Sequence, residues 1–258
     1  MNSYLVLGNK GMRLMNRVKE MSRYDNIVML DKFDPESLDN IYLNPTPATY
    51  VIDLAEITKK HRTDKIQNSI LKFIEEPPEE CDVYILMPSV SGLLPTIVNR
   101  CKIIRIPNLS SEFVKSQIED IPASHLCMIR TYDDIENYDA NKCDDILHTC
   151  RNILDYLPRV TVANALQIAD KINYDDADDM RCNIECYNLD WFIYALEYCL
   201  VQDVYIEKID SLTGVKLSKE ITGFKSLVTV LGINKRYIFE NLILNMMEVF
   251  KSANIGNA

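Results

Sequence analysis

Two adjacent prolines, Pro77 and Pro78, constrain everything around them. Proline lacks a backbone N–H and restricts the residue before it, so a helix that runs into this pair has to stop. Upstream, residues 65–76 carry Ile66, Ile70, Leu71 and Ile74 at helical spacing. Downstream, residues 83–87 (VYILM) form an unbroken apolar run of strand length. Pro95 then stands at a first helical position, and Arg100 closes the short helix it begins. Residues 68–101 therefore read as helix, forced stop, buried strand, short helix and a terminal arginine.

The flanking sequence repeats the alternation. Residues 3–7 (SYLVL), 27–30 (IVML), 50–54 (YVIDL) and 102–106 (KIIRI) are four further short apolar runs. Residues 11–22 form a helix pattern, with Leu14, Met15, Val18 and Met21 on one face and Arg13, Arg17, Lys19 and Arg23 giving a basic side. Pro35 opens a turn or short helix over 34–40, and Pro45 and Pro47 impose a loop. Short buried strands between helices predict a parallel sheet with helices on both faces. The alternation ends at Pro107. Beyond it the patterns are helical: 110–118, capped by Ser110 or Ser111, then 144–157, 162–172, 189–201 and 237–252. The fold class is an α/β core followed by an all-α region, with one boundary near 107 and a second near 138–142, suggested by the polar run DDIENYDANK.

Bulk properties exclude several function classes. Hydrophobic residues make up 47% and charged residues 26%, as in ordinary globular chains. A net charge of −10 argues against duplex DNA binding by this chain alone, because phosphate contacts need clustered Lys and Arg. No window approaches the roughly 20 apolar residues of a membrane span. The run at residues 4–7 is too short for a signal peptide and has no basic region before it. The expectation is a cytoplasmic protein without a membrane partner. Eight cysteines (81, 101, 127, 143, 150, 182, 186, 199) contain no Cys-x-x-Cys pair and read as reduced thiols. Cys182 and Cys186 lie one helical turn apart, and His148 lies between Cys143 and Cys150, but neither spacing is a zinc-ligand signature. No metal and no cofactor are expected.

The run at 68–101, NSILKFIEEPPEECDVYILMPSVSGLLPTIVNRC, resembles the core of the clamp-loader family of AAA+ ATPases. Within it the chain is most similar to the delta-prime branch of bacterial DNA polymerase III. The resemblance is specific over residues 48–106 and weak over 1–30. It implies a degenerate AAA+ core over 1–107, a small helical lid over 108–140 and a helical collar for oligomerisation over 141–258. In such ATPases a P-loop, G-x-x-x-x-G-K-[ST], cradles phosphate and its hydroxyl holds Mg²⁺. Here the strand–turn–helix context is kept, but Gly8-Asn9-Lys10-Gly11 is followed by Met12-Arg13. Lys10 is out of position and no Mg²⁺-binding hydroxyl follows. Asp53 stands where the family has its metal-binding Asp and Leu54 where it has the Glu that activates water; Glu56 follows after Ala55. Gly8, Gly11 and Asp53 are thus degenerate positions, and the preferred reading is a bare strand-to-helix turn and an ordinary strand-end carboxylate.

Leu94-Pro95-Thr96-Ile97-Val98-Asn99-Arg100-Cys101 matches the family's segment ending Ser-Arg-Cys, with Asn99 replacing Ser. In the family that arginine acts in trans on a neighbouring subunit's ATP, where a planar, permanently charged guanidinium bridges phosphate oxygens. Arg100 is the candidate finger; the competing reading is a solvated arginine favoured by the helix dipole. The Glu75-Glu76-Pro77-Pro78 run reads as architectural, and Ser89 falls at a phosphate-sensing position. The basic group Lys59, Lys60, His61, Arg62 and Lys65 is either a DNA-facing patch or a solvated helix start. The resemblance implies a subunit that does not hydrolyse ATP itself. Its partners would be clamp-loader ATPase subunits and a delta-like subunit, with the sliding clamp and primer–template DNA engaged through the assembly. A divergent active ATPase and a stand-alone adaptor with a dead AAA+ fold are the alternatives.

Overall fold

The computed structural model describes residues 2–9, 12–30, 40–43, 46–60, 63–171, 189–228 and 235–255. The elements in chain order are β1 (Ser3–Leu7), α1 (Leu14–Met21), β2 (Ile27–Met29), β3 (Ala48–Asp53), α2 (Leu54–Lys60), α3 (Thr63–Glu75), β4 (Cys81–Met87), α4 (Pro95–Arg100), β5 (Lys102–Arg105), α5 (Ser111–Gln117), α6 (Tyr132–Glu136), α7 (Ala140–Tyr156), α8 (Val162–Lys171), α9 (Leu189–Tyr205), α10 (Ser211–Val228) and α11 (Lys235–Ile255). Two compact units arise, one formed by Met1–Asn108 with Thr131–Asp133, the other by Leu109–Arg130 and most of the chain from Asp134 onward.

In the first unit the strands form one parallel sheet in the order β2-β3-β4-β1-β5. Every residue of β4 is buried, as are five consecutive residues of β3, so both faces of the central strands are covered. That coverage is why these strands read as apolar runs rather than as alternating patterns. The core gathers Leu5, Ile52, Ile85 and Met87 from the sheet with Ile70, Phe73 and Ile74 from α3 and Ile97 from α4. Ser3, fully buried, donates from Oγ to the Ile74 carbonyl at 2.8 Å and so satisfies a helix-end acceptor. Arg23 donates from Nε to the buried Asp82 carboxylate at 2.8 Å. The sheet with its helices is an α/β core, and the chain continues as helices, in line with the expected order of an α/β core followed by an all-α region.

The second unit is helical. Ser110 caps α5 by accepting from the Phe113 amide at 3.2 Å. One apolar cluster runs from Val114 through Ile146, Leu147 and Leu154 of α7, Phe192 and Leu196 of α9, Leu217 and Phe224 of α10, to Phe239 and Met246 of α11. Helices on both sides of residue 140 thus contribute to one core. Two buried polar groups of this unit, His125 and Asp134, are paired. His125 shares hydrogen bonds with Tyr138 Oη (2.9 Å) and Asp144 Oδ1 (3.1 Å). Trp191 Nε1 donates to Asp134 Oδ1 at 2.7 Å, while Asp134 Oδ2 accepts from the Arg130 amide at 2.9 Å. Burial pushes the thiols of Cys127 and Cys143 up to about 12 and that of Cys199 to about 11. Among the described residues no helix is long and apolar enough to cross a membrane.

Candidate functional site

The loop after β1 is packed from below by apolar side chains. Gly8 donates to the Met87 carbonyl at 3.0 Å, which ties the loop to the end of β4. A Cβ at Gly8 would stand 2.9 Å from Leu14 Cδ2 and 3.2 Å from Ile106 Cβ, so a side chain there would oblige both neighbours to shift. Counted from Gly8, the P-loop spacing puts Arg13, Leu14 and Met15 where that motif has Gly, Lys and Ser/Thr. Arg13 has a φ of 53°, in the left-handed region that favours glycine, and it precedes α1 without a capping side chain. Leu14 is buried in the core, and so is Met12, whose amide donates to the Asn9 carbonyl at 2.9 Å. Lys10 and Gly11 lie outside the described residues.

Asp53 ends β3 and its carboxylate is turned back on the chain. Oδ1 accepts from the Glu56 amide at 3.0 Å, so Asp53 caps the first turn of α2. The strand reading of 50–54 thus runs one residue too far, because the cap turns the chain into a helix at Leu54. Leu54 is wholly buried at the position where a water-activating Glu would have to face a ligand. Ser89 is engaged locally and accepts from the Ser91 amide at 3.1 Å.

Arg100 is the last residue of α4. That helix is fixed at three points. Pro95 starts it, Ile97 is fully buried beneath it, and its entry loop is gripped by Gln67 of α3. Gln67 is 1% exposed; its Nε2 donates to the Gly92 carbonyl at 2.8 Å and its Oε1 accepts from the Leu94 amide at 2.6 Å. The partners leave one orientation of the carboxamide, since a carbonyl needs a donor and an amide an acceptor. Gly92 itself takes a φ of 83°.

The Arg100 side chain is partly exposed rather than freely solvated. Its Nε lies 2.5 Å from Glu75 Oε1, and its Nη1 donates to the Thr96 carbonyl at 3.2 Å. The first glutamate of the Glu-Glu-Pro-Pro run is therefore the ion-pair partner of the candidate finger. Asn99 beside it is exposed, and Cys101 beyond it has its thiol pushed up to about 11 by burial. Sequence reasoning missed both Gln67 and Glu75. Gln67 carried a signal, being a polar residue at the inward spacing of Ile70, Leu71 and Ile74.

Lys59 and Lys60 belong to α2 and Lys65 to α3, while His61 and Arg62 lie outside the described residues, as do Cys182 and Cys186. His148 is exposed on α7 while Cys143 and Cys150 point into the helical core. Among the described residues no group of His, Cys, Asp and Glu is arranged to hold a metal ion.

Residues 43–110 match the family model described as DNA polymerase III, delta subunit. The match takes in β3 with Asp53, the proline pair and α4 with Arg100, and over that stretch it supports the clamp-loader resemblance. No curated protein sequence matches the chain at a significant level. Among solved structures, a DNA polymerase III gamma subunit-related protein from Thermotoga maritima is similar over 96% of this chain and 94% of that one, at 16% identity and a TM-score of 0.41.

Proposed function

We propose that this chain is a non-hydrolysing, delta-prime-like subunit of a clamp loader. It assembles with ATPase subunits and a delta-like subunit, and it presents Arg100 to the nucleotide of a neighbour. The assembly, rather than this acidic chain alone, engages the sliding clamp and primer–template DNA. The observation that carries the reading is the pairing of a built arginine with an unbuilt nucleotide site. Arg100 ends a helix anchored at three points, within the segment that matches the polymerase III family model. Leu14 and Leu54, in the same unit, are buried where a nucleotide site needs a lysine and a glutamate. Asp53 is occupied as a helix cap.

An arginine delivered in this way needs no proton transfer. It is charged at all working pH values, and its planar fork meets phosphate oxygens as charge develops on them. Such residues are worth about 10³–10⁵ in rate where they have been measured. The test has two arms. The isolated chain should show no saturable binding of Mg²⁺-ATP by equilibrium dialysis. The same chain should raise clamp- and primer-stimulated ATP turnover when added to the ATPase subunits. Saturable nucleotide binding would favour a divergent ATPase, and failure to assemble with any ATPase subunit would favour a stand-alone adaptor.

A further inference from the structure

We infer that Glu75 is a positioning residue for Arg100: its carboxylate holds the back edge of the guanidinium so that the front edge meets the neighbour's phosphate. The inference rests on the finger reading above and adds a residue to it.

The geometry is specific about which edge is held. Glu75 Oε1 lies against Nε, the nitrogen nearest the stem, as its ion-pair partner, and the Thr96 carbonyl accepts from Nη1. Nη2, the remaining terminal nitrogen, donates no hydrogen bond among the described residues. A phosphate approaching the tip therefore meets donors that are not already spent on the chain's own acceptors. Both anchors sit on rigid supports. Glu75 ends α3, where Phe73 and Ile74 are fully buried, Ser3 holds the Ile74 carbonyl, and Pro77 and Pro78 come directly after Glu76. Thr96 lies in the first turn of α4, whose entry loop Gln67 fixes.

A carboxylate beside a finger could also oppose it, by competing with phosphate for the guanidinium. Magnitude separates the two roles. The pair is partly exposed, at 38% for Arg100 and 40% for Glu75, so it shifts an equilibrium by at most about five-fold. That is too weak to keep an arginine from a phosphate contact worth about 10³-fold or more in rate. It is sufficient to restrict a long side chain that otherwise samples many rotamers. Glu75 therefore contributes orientation rather than a lock.

The experiment is single-turnover ATP hydrolysis by the reconstituted loader carrying Glu75→Ala, Glu75→Gln, Arg100→Ala or Glu75→Ala with Arg100→Ala. The expected result is a roughly three- to five-fold fall in the hydrolysis rate for Glu75→Ala, with the ATP concentration for half-maximal rate unchanged. Glu75→Gln, which keeps an acceptor without the charge, should fall between. In the Arg100→Ala background Glu75→Ala should do nothing further, because a residue acting through Arg100 has nothing left to position. A merely structural role would lower the rate in both backgrounds and weaken assembly. Wild-type rates in Glu75→Ala and Glu75→Gln, with Arg100→Ala impaired, would overturn the inference and leave the finger intact. A faster Glu75→Ala loader would overturn it in favour of competition. Wild-type rates in Arg100→Ala would instead overturn the finger reading itself.

Discussion

Replacing Gln67 with leucine removes a buried two-hydrogen-bond bridge while nearly conserving volume. The lost bonds run to the Gly92 carbonyl (2.8 Å) and the Leu94 amide (2.6 Å). Each contributes about 0.5–1.5 kcal/mol net. Gly92 is exposed and its carbonyl can turn to water, whereas Leu94 is half-buried and its amide is harder to rehydrate. The expected cost of Gln67→Leu is therefore about 1–3 kcal/mol, in the middle of the range for loss of a buried polar contact. Gln67→Glu separates the two bonds. It keeps the acceptor for Leu94 N–H but places a carboxylate, at a site 1% exposed, against the Gly92 carbonyl with no proton to share. Burial raises the pKa of such a carboxyl above its unfolded value, so the variant is relatively stable below that value and loses stability as pH rises toward neutrality. Urea unfolding followed by far-UV circular dichroism measures both, at about pH 4 and about pH 7, on either side of the ordinary carboxyl range. Trp191, the single tryptophan, sits in the helical unit and its fluorescence reads that unit alone. Hydrogen exchange should show faster opening at 92–101 in both variants. A Gln67→Leu cost below about 0.3 kcal/mol with unchanged exchange there would refute the bridge as an anchor of α4.

Three further outcomes come from the same geometry. Gly8→Ala should cost about 1–3 kcal/mol by overpacking, since the new methyl meets Ile106 Cβ at 3.2 Å and Leu14 Cδ2 at 2.9 Å; a neutral thermal melt would contradict that packing. Asp53→Ala should cost about 0.5–2 kcal/mol through loss of the α2 cap, and Asp53→Asn only a few tenths, because Asn caps as well; equal costs by urea titration would reject the cap. The thiols of Cys127, Cys143 and Cys199 are raised from 9.0 to between about 11 and about 12. A raised folded-state value means the stabilisation is whole below about pH 9 and is lost as pH climbs toward about 11–12. The Trp191-monitored melting temperature should fall over that window, and fall less steeply in Cys143→Ala; parallel slopes would count against it.

The parallel sheet was legible because its strands are covered on both faces, which leaves no polar residue to interrupt runs such as residues 83–87. Its edges were less so. Ala48 and Thr49 lengthen β3 at its start without an apolar signature, and Leu54 extends the run by pattern although the Asp53 cap has already turned the chain into α2. Helix α10 was hidden by Gly214, Gly223, Thr213 and Thr222, all weak helix formers. Its packing overrides propensity: Leu217, Ile221 and Phe224 share one face, and a Cβ at Gly214 would meet Val204 Cγ2 at 2.4 Å. At the site, Arg100 could be singled out through the resemblance of residues 94–101 to the clamp-loader segment that ends Ser-Arg-Cys. Its supports could not. Glu75 and Gln67 act across 25 residues of chain, through pairings that spacing does not encode. The proline pair was read as architecture, and it does end α3; the first glutamate of that run has a second part to play.

The central claim is that Arg100 acts on a nucleotide held by another subunit. Its most direct test is single-turnover hydrolysis by clamp-loader ATPase subunits assembled with wild-type chain, with Arg100→Ala or with Arg100→Lys. The account predicts normal assembly in all three, and with Arg100→Ala a hydrolysis rate no higher than that of the ATPase subunits alone. Arg100→Lys should give little recovery, because an ammonium cannot reproduce the planar fork. Full stimulation by Arg100→Ala in a normally assembled complex would contradict the claim and leave this chain as a scaffold.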